Sequence, residues 1–360
     1  MTLLNQRLLQ AMGGSIHGGA ENFFMRLAPA LNPFLPQKIV LRPQADRKEI
    51  LTRQGIDVVD CSFGGCFDFK SHWIFFQTIR QFCPQLILTW MNRATAFCPN
   101  SRAMRALLPP FIHVARLGGY YNLKYYQKCD ALIGNTKGIV EYIISTGWAR
   151  ENVFYIPNFV KMPDLKQSIK VEKRAYQTPE RAPVILALGR FHVNKGFDTL
   201  IRSLVFVKDA YLWLLGEGPE EVFLRRLAQE VGVLSRVRFL GWQENITPFF
   251  KTADLFVCSS RHEPLGNVIL DAWSHACPVV AAASQGPREL IHHGQTGLLV
   301  EIDEPESFAA GIFALLHSPE LKIQLVEEAY RKVSQEFSKE SVIQRYLTCF
   351  ETLTSFKKAS

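Results

Sequence analysis

From residue 182 onward, short apolar runs alternate with stretches of helical periodicity. Residues 184–188, 211–215, 237–240, 255–258, 279–282 and 297–300 read as strands, and 196–207, 219–231, 264–276 and 307–316 as helices between them. Strand and helix alternating at this length predict a doubly wound parallel α/β sheet. The first half repeats the theme less regularly. Strands are expected at 8–11, 38–41, 57–60, 86–89, 111–115, 131–134 and 153–156, and helices at 20–31, 69–82 and 137–146. Residues 157–183, with four prolines among many charges, have linker composition. The expected organisation is a Rossmann-like domain over 1–160, a linker over 161–183, a second Rossmann-like domain over 184–337 and a C-terminal amphipathic helix over 338–360. Two such domains facing a central cleft would gather the carboxyl ends of both sheets around it, where ligands of these folds bind.

Composition narrows the classes. Apolar residues at 48% and charged residues at 21% of 360 match a globular protein. No run approaches the roughly 18 to 20 apolar residues of a membrane span, and residues 1–12 lack the apolar core of an export signal. Eight cysteines show no Cys-x-x-Cys pair and no zinc-like spacing, which fits a reduced, cytoplasmic setting. The net charge of +8 is unevenly spread. Residues 1–160 carry 17 Lys and Arg against 9 Asp and Glu, whereas 161–360 carry 24 of each. The first half is therefore expected to meet something anionic: a nucleic acid, a phosphorylated glycolipid or a membrane face. In the helix at 69–82, Trp73, Phe75 and Phe76 read as core aromatics, with contact to a membrane as the alternative.

Three motifs carry candidate chemistry. Gly13, Gly14, Ser15, Ile16, His17, Gly18, Gly19, Ala20 and Glu21 form a glycine-rich turn between a strand and a helix, where backbone N–H groups can approach an anion. Gly189 to Gly196 ends the first strand of the second domain and carries Arg190, Asn194 and Lys195, two cations able to converge on one diphosphate. The third motif joins Glu263 to a helix expected to start at Pro264, leaving the N–H groups of Leu265, Gly266 and Asn267 free for an anion. Asp271 falls four residues beyond Asn267, on the same helical face.

Together these segments resemble glycosyltransferase family 4, enzymes of the GT-B fold that move a sugar from a nucleotide sugar. The match rests on Gly18-Gly19-Ala20-Glu21, the Gly189 to Gly196 turn, Gly216 to Pro219, Phe239 to Gly241, and Glu263 with Asp271, in the family's order. Residues 91–99 and 115–121 look like a branch that builds bacterial lipopolysaccharide core. By that resemblance Arg190 and Lys195 hold the donor diphosphate, Glu263 the hydroxyls of its sugar and Asp271 the ribose. Asp271 is one methylene shorter than the Glu usual there. A first-domain histidine of the family has His113 or His17 or neither as its counterpart, His113 reading equally as a core histidine, and Trp242 would lie near the base. The resemblance implies retention of anomeric configuration and a glycolipid or glycan acceptor; the basic first half adds the expectation that this acceptor is anionic and that the protein associates peripherally with the inner face of an anionic membrane, with no nucleic-acid partner. A fixed cation about 4 Å from a leaving phosphate is worth on the order of 4 kcal/mol at an effective dielectric near 20, against about 1 kcal/mol for a neutral hydrogen bond. Asp-x-Asp occurs nowhere in the chain, so no metal and no cofactor is expected. The competing class is a non-catalytic module that holds a nucleotide or glycan. A nicotinamide oxidoreductase fits less well, because no Gly-x-Gly-x-x-Gly follows a strand.

Overall fold

The computed structural model describes residues 6–14, 19–65, 68–167 and 169–359. The chain forms two compact units, Met1–Asn158 with Lys339–Ser360, and Phe159–Ser338. The first holds a seven-stranded sheet of β1 (Leu8–Met12), β2 (Gln37–Leu41), β3 (Asp57–Asp60), β4 (Leu86–Trp90), β5 (Ile112–Leu117), β6 (Ala131–Gly134) and β7 (Val153–Tyr155), in the order β3-β2-β1-β4-β5-β6-β7. The second holds β8 (Val184–Leu188), β9 (Tyr211–Leu215), β10 (Val237–Phe239), β11 (Leu255–Cys258), β12 (Val279–Ala282) and β13 (Leu298–Val300), in the order β10-β9-β8-β11-β12-β13. Every pairing among these strands is parallel. Both sheets are doubly wound. Their order reverses between β1 and β4 in one and between β8 and β11 in the other, and loops diverging from such a point leave a crevice for a ligand.

Strands buried on both faces should read as unbroken apolar runs, and β4, β6, β11 and β12 are buried at every position. One polar chain crosses the first core and is fully satisfied. Gln10 in the central strand accepts from Trp90 Nε1 at 3.0 Å and donates to Gln37 at 2.6 Å, and Gln37 donates to the Ala28 carbonyl.

The segment 161–183, of linker composition, packs on the second unit. Val160 belongs to its core, the Val171 N–H donates to Thr252 Oγ1 at 3.0 Å, and Trp213 Nε1 donates to Thr178 Oγ1 at 3.0 Å. The C-terminal helix, Lys339–Ala359, returns to the first unit. Its Tyr346 hydroxyl accepts from Arg116 Nε at 2.8 Å, and that guanidinium, 1% exposed, also reaches Asn158 Oδ1 and lies 4.8 Å from the rings of both Phe23 and Trp90. A buried cation is held here by two polar partners and two aromatic faces. The aromatics of helix Phe69–Phe82 divide: Phe75 is buried as expected of the core, while Trp73 is 63% exposed.

His113 lies near the amino end of β5 and is fully buried, in keeping with its alternative reading as a core histidine. Nδ1 faces the Asn100 amide nitrogen at 2.5 Å and Nε2 lies 2.8 Å from Thr89 Oγ1. The neutral ring with its proton on Nε2 satisfies both partners. Burial pulls its pKa down to about 3, the nearby Asp130 opposing this only in part. An unfolded chain takes up this proton near pH 6.5, whereas the folded one does not until about pH 3. The His113 contribution therefore favours folding above pH 6.5 and is lost as pH falls toward 3, at up to about 1.4 kcal/mol per pH unit. Urea unfolding of wild type and His113→Gln between pH 7 and pH 4 should show a shallower slope for the variant; equal slopes would remove this histidine from the acid response.

Candidate functional site

The switch point of the second sheet brings together the loop after β8, residues 189–196, and the loop after β11, residues 259–266. Both are pinned by backbone contacts. Gly196, at φ 61°, takes a left-handed conformation, and a Cβ there would collide with the Ser259 carbonyl oxygen. The Ser259 hydroxyl donates to the Lys195 carbonyl at 2.8 Å, and the His262 N–H donates to the Asn194 carbonyl at 3.3 Å. From the other side, the Gly189 N–H donates to the Leu215 carbonyl and the Phe191 N–H to the Glu217 carbonyl, at 2.9 and 2.8 Å. The Gly216 N–H donates to the Gly241 carbonyl at 2.8 Å, so the three turns after β8, β9 and β10 form one stapled rim.

On this rim Lys195 Nζ donates to Glu263 Oε2 at 2.6 Å. Glu263 is 8% exposed, its Oε1 accepts from the Gly266 N–H at 3.2 Å, and the Ser260 hydroxyl donates to Oε2 at 3.4 Å. A carboxylate this enclosed needs a cation and fixed donors around it. Arg190 and Asn194 are exposed, and Arg190 has no ion-pair partner among the described residues. The loops thus present one open guanidinium beside an ammonium and carboxylate whose spare hydrogen-bonding capacity can turn to phosphoryl oxygens and hydroxyls.

The helix after Glu263 departs from expectation. It starts at Asn267, three residues later than Pro264, because Gly266 adopts φ 73° as its N-cap. The Gly266 N–H is therefore already bound to Glu263, while Leu265 is half-buried with its backbone against Gly286. Asp271 lines a cavity of about 740 Å³ with Asn245, Thr247 and His275, and Glu263 is not part of its wall. His275 accepts at Nε2 from the Thr247 hydroxyl at 3.0 Å and donates from Nδ1 to the Asp271 carbonyl at 2.6 Å, tying that helix to the loop after β10. Burial lowers the His275 pKa, which keeps the ring neutral for this bridge. Trp242 is 73% exposed, and its N–H donates to Glu217 Oε1 at 3.2 Å. In the first unit, Gly13, Gly14 and Gly19 are described, with the Glu21 side chain against Gly14, while His17 and Gly18 lie outside the described residues.

Arg261 carries a role the sequence did not reveal. Its guanidinium grips Asp198 in a bidentate pair at 2.8 and 2.7 Å, donates to the Val193 carbonyl at 2.7 Å and reaches Asp303 at 2.7 Å. These hydrogen bonds raise its pKa, Asp198 foremost. Asp303 holds φ 61°, an uncommon conformation for a residue with a side chain. The clamp ties the middle of the 189–196 loop, with Asp198 just beyond it, to two segments distant in sequence, those of Arg261 and Asp303.

A doubly wound domain with cations and carboxylates at its switch point belongs to the class that handles phosphorylated ligands at strand ends. Comparison with known proteins narrows this. The family described as Glycosyl transferases group 1 matches residues 182–318. The chain is 35% identical over 336 residues to lipopolysaccharide core biosynthesis glycosyltransferase LpsE of Rhizobium meliloti, covering 92% of this chain and 95% of that protein. It is 33% identical over 340 residues to LpsD of the same organism, covering 93% and 95%. The chain therefore belongs to the group 1 glycosyltransferases. Among solved structures, a glycosyltransferase from Rickettsia africae superposes with a TM-score of 0.85 at 17% identity, over 97% of this chain and 99% of that one. HepE of Anabaena in complex with UDP superposes with 0.82 at 21%, over 97% and 100%. The fold is GT-B. No helix among the described residues is long and apolar enough to cross a membrane.

Arg261→Ala should lower sugar-transfer turnover by about 10²-fold, the order expected when reacting groups are displaced by about 1 Å, and Arg261→Lys should recover little because an ammonium cannot replace the fork. Steady-state turnover of variants shown to be folded by circular dichroism checks this; wild-type turnover in Arg261→Ala would show that the loop needs no clamp.

Proposed function

We propose that this glycosyltransferase moves a sugar from a UDP- or GDP-sugar to an anionic glycan or glycolipid of lipopolysaccharide-core type, retaining anomeric configuration and using no metal. The observation that carries the reading is the Lys195–Glu263 pair at 2.6 Å beside the open Arg190 at the switch point of the second sheet. Breaking the bond between sugar and diphosphate leaves negative charge on the leaving group and positive character on the ring. Arg190 and Lys195 answer the first, as fixed cations in a partly dry site. Glu263 accepts from a hydroxyl of the transferred sugar and so holds the ring against the cations. Asp271, half-buried in the cavity beside the loop after β10, receives the ribose hydroxyls. Retention is what the resemblance to glycosyltransferase family 4 implies for this reaction.

Support for the donor class comes from HepE of Anabaena, solved with UDP and with UDP-glucose, and for the acceptor class from the rhizobial LpsE and LpsD, described as lipopolysaccharide core enzymes. The first unit would take the acceptor, as its excess of 17 basic over 9 acidic residues suits an anionic one. Phe69, 73% exposed, and Trp73, one helical turn on, support peripheral attachment to an anionic membrane at its cytoplasmic face.

Hydrolysis and transfer from a panel of UDP-, GDP- and ADP-sugars tests the reading, and turnover of none would leave a non-catalytic binding module instead. With an active donor, Arg190→Ala or Lys195→Ala should cost roughly 10² to 10³ in turnover, the loss seen when one preorganised charge-stabilising group is removed; a folded variant with unchanged turnover would refute the diphosphate assignment. Activity should also persist in excess EDTA, since no Asp-x-Asp is present to carry a magnesium or manganese ion, and activity lost to EDTA and restored by metal would contradict the metal-free mechanism.

A further inference from the structure

The first unit holds a cavity of about 330 Å³, distant in sequence from the glycine-rich turn and built from three segments. His72 comes from the helix Phe69–Phe82, Asn100 and Ser101 from the turn after the helix Met91–Phe97, and Lys124, Tyr125 and Lys128 from the connection between β5 and β6. The volume is at the lower end of small-molecule sites, about 300 to 1,000 Å³, and suits one sugar unit. Its lining sets Ala96, Pro99 and Met104 beside basic and aromatic side chains.

The basicity is uncompensated. No Asp or Glu lines the cavity. Lys124 and Lys128 are exposed and neither has a carboxylate partner among the described residues; Lys124 instead lies 4.9 Å from the Tyr125 ring. The acids of these segments are already engaged. Asp68 accepts from the Ser62 and Ser71 hydroxyls and the Gly64 and Ser71 N–H groups, and these bonds, Ser71 foremost, hold its carboxyl below the usual range. Asp130 takes Arg105 at 3.0 Å and the His113 N–H at 2.7 Å. The wall is also held in place: His72 stacks on Phe97 with centroids 4.5 Å apart, Ser101 Oγ accepts from the Met104 N–H, and Asn122 Oδ1 accepts from the Lys124 N–H at 3.0 Å.

We propose that this cavity is a subsite for one acidic sugar unit, its phosphoryl or carboxyl group held by Lys124 and Lys128 and its ring laid against Tyr125 and His72. The inference rests on the reading of the acceptor as an anionic glycan, and gives that acceptor a second point of recognition on the first unit. Two ammonium groups select for charge, while Ser101, whose Oγ accepts from the Met104 N–H, keeps its hydroxyl proton for a ring oxygen. Because the lysines are exposed and take no part in the core, replacing them leaves the fold intact.

The test is an NMR titration of the full chain with glucose 6-phosphate, glucuronate and glucose at millimolar concentration, with UDP and GDP titrated separately to report the donor site. Wild type should bind glucose 6-phosphate or glucuronate and not glucose. Lys124→Glu/Lys128→Glu should weaken that binding about tenfold or more while leaving the UDP or GDP affinity within about twofold. The proposal is overturned if neither acidic sugar binds wild type, if the lysine variant binds them as wild type does, or if Arg190→Ala/Lys195→Ala removes the binding instead. It is equally overturned if the lysine variant keeps the acidic sugars but loses phosphatidylglycerol vesicles, since the lysines then serve a lipid surface. Sugar binding with neither UDP nor GDP binding would leave the subsite standing and defeat the donor reading.

Discussion

A carboxylate and an ammonium 2.6 Å apart, one of them 8% exposed, make the most demanding contact of the second unit. Taking both charges out of water costs several kcal/mol unless the geometry is held and the remaining lone pairs are met, so the surrounding chain is built to hold it. The Gly266 N–H and the Ser260 hydroxyl meet the carboxylate, Ser259 anchors the lysine's own carbonyl, and Gly196 lets the two loops touch where no side chain fits. Arg261 secures the same loop from behind through Asp198 and Asp303. A cation held this way needs little reorganisation when charge develops on a ligand, which is the condition for electrostatic catalysis.

The parallel sheet makes this arrangement available. In a sheet ordered β10-β9-β8-β11-β12-β13, β8 and β11 are neighbours whose following loops leave in opposite directions, so residues 68 positions apart come within bonding distance without a shared element. The first unit solves a different problem at its own sheet. Arg116, next to the last residue of β5, is buried without a described carboxylate partner, and the chain returns after the second unit to supply Tyr346 to it. The C-terminal helix is therefore part of the first core, and removing it would uncover a cation left with Asn158 and the rings of Phe23 and Trp90 only.

The thirteen strands among the described residues were legible because buried parallel strands are unbroken apolar runs bounded by polar turns. Four of the six strands in the second unit keep the bounds expected of them. Elements without an apolar stripe or a cap were not legible. The helix Ala45–Arg53 buries only Leu51, and Met91–Phe97 begins at a left-handed Met91 with no capping side chain. Local rules failed where tertiary contact prevailed: Pro264 is a good first helical residue, yet Gly266 sets the start because Gly286 packs against the backbone of Leu265. The residues proposed to hold the donor were chosen from strand-end position and residue type, and Lys195 and Glu263 do meet. The partners of Arg261 were not legible in this way, because Asp198 and Asp303 are 63 positions before and 42 after it.

The charge split seen in the sequence acquires a physical form in the pairing pattern. In the first 160 residues six of the nine acids have described partners: Glu49, Asp57, Asp60, Asp130 and Glu141 each face a Lys or Arg, and Asp68 is enclosed by hydroxyl and amide donors. The surplus left for solvent and ligand is cationic. In the second unit the balance is even, and its strongest pairs, Arg261 with two aspartates and Lys195 with Glu263, are internal to the loop scaffold, with Arg190 left open. Both units thus offer unpaired positive charge at the places where ligand recognition is proposed, but by different routes. One does so by excess, which acts at a Debye length of about 8 Å and weakens with salt. The other does so by placing a single exposed cation on the same loop as a partly buried ion pair, which solvent screens less.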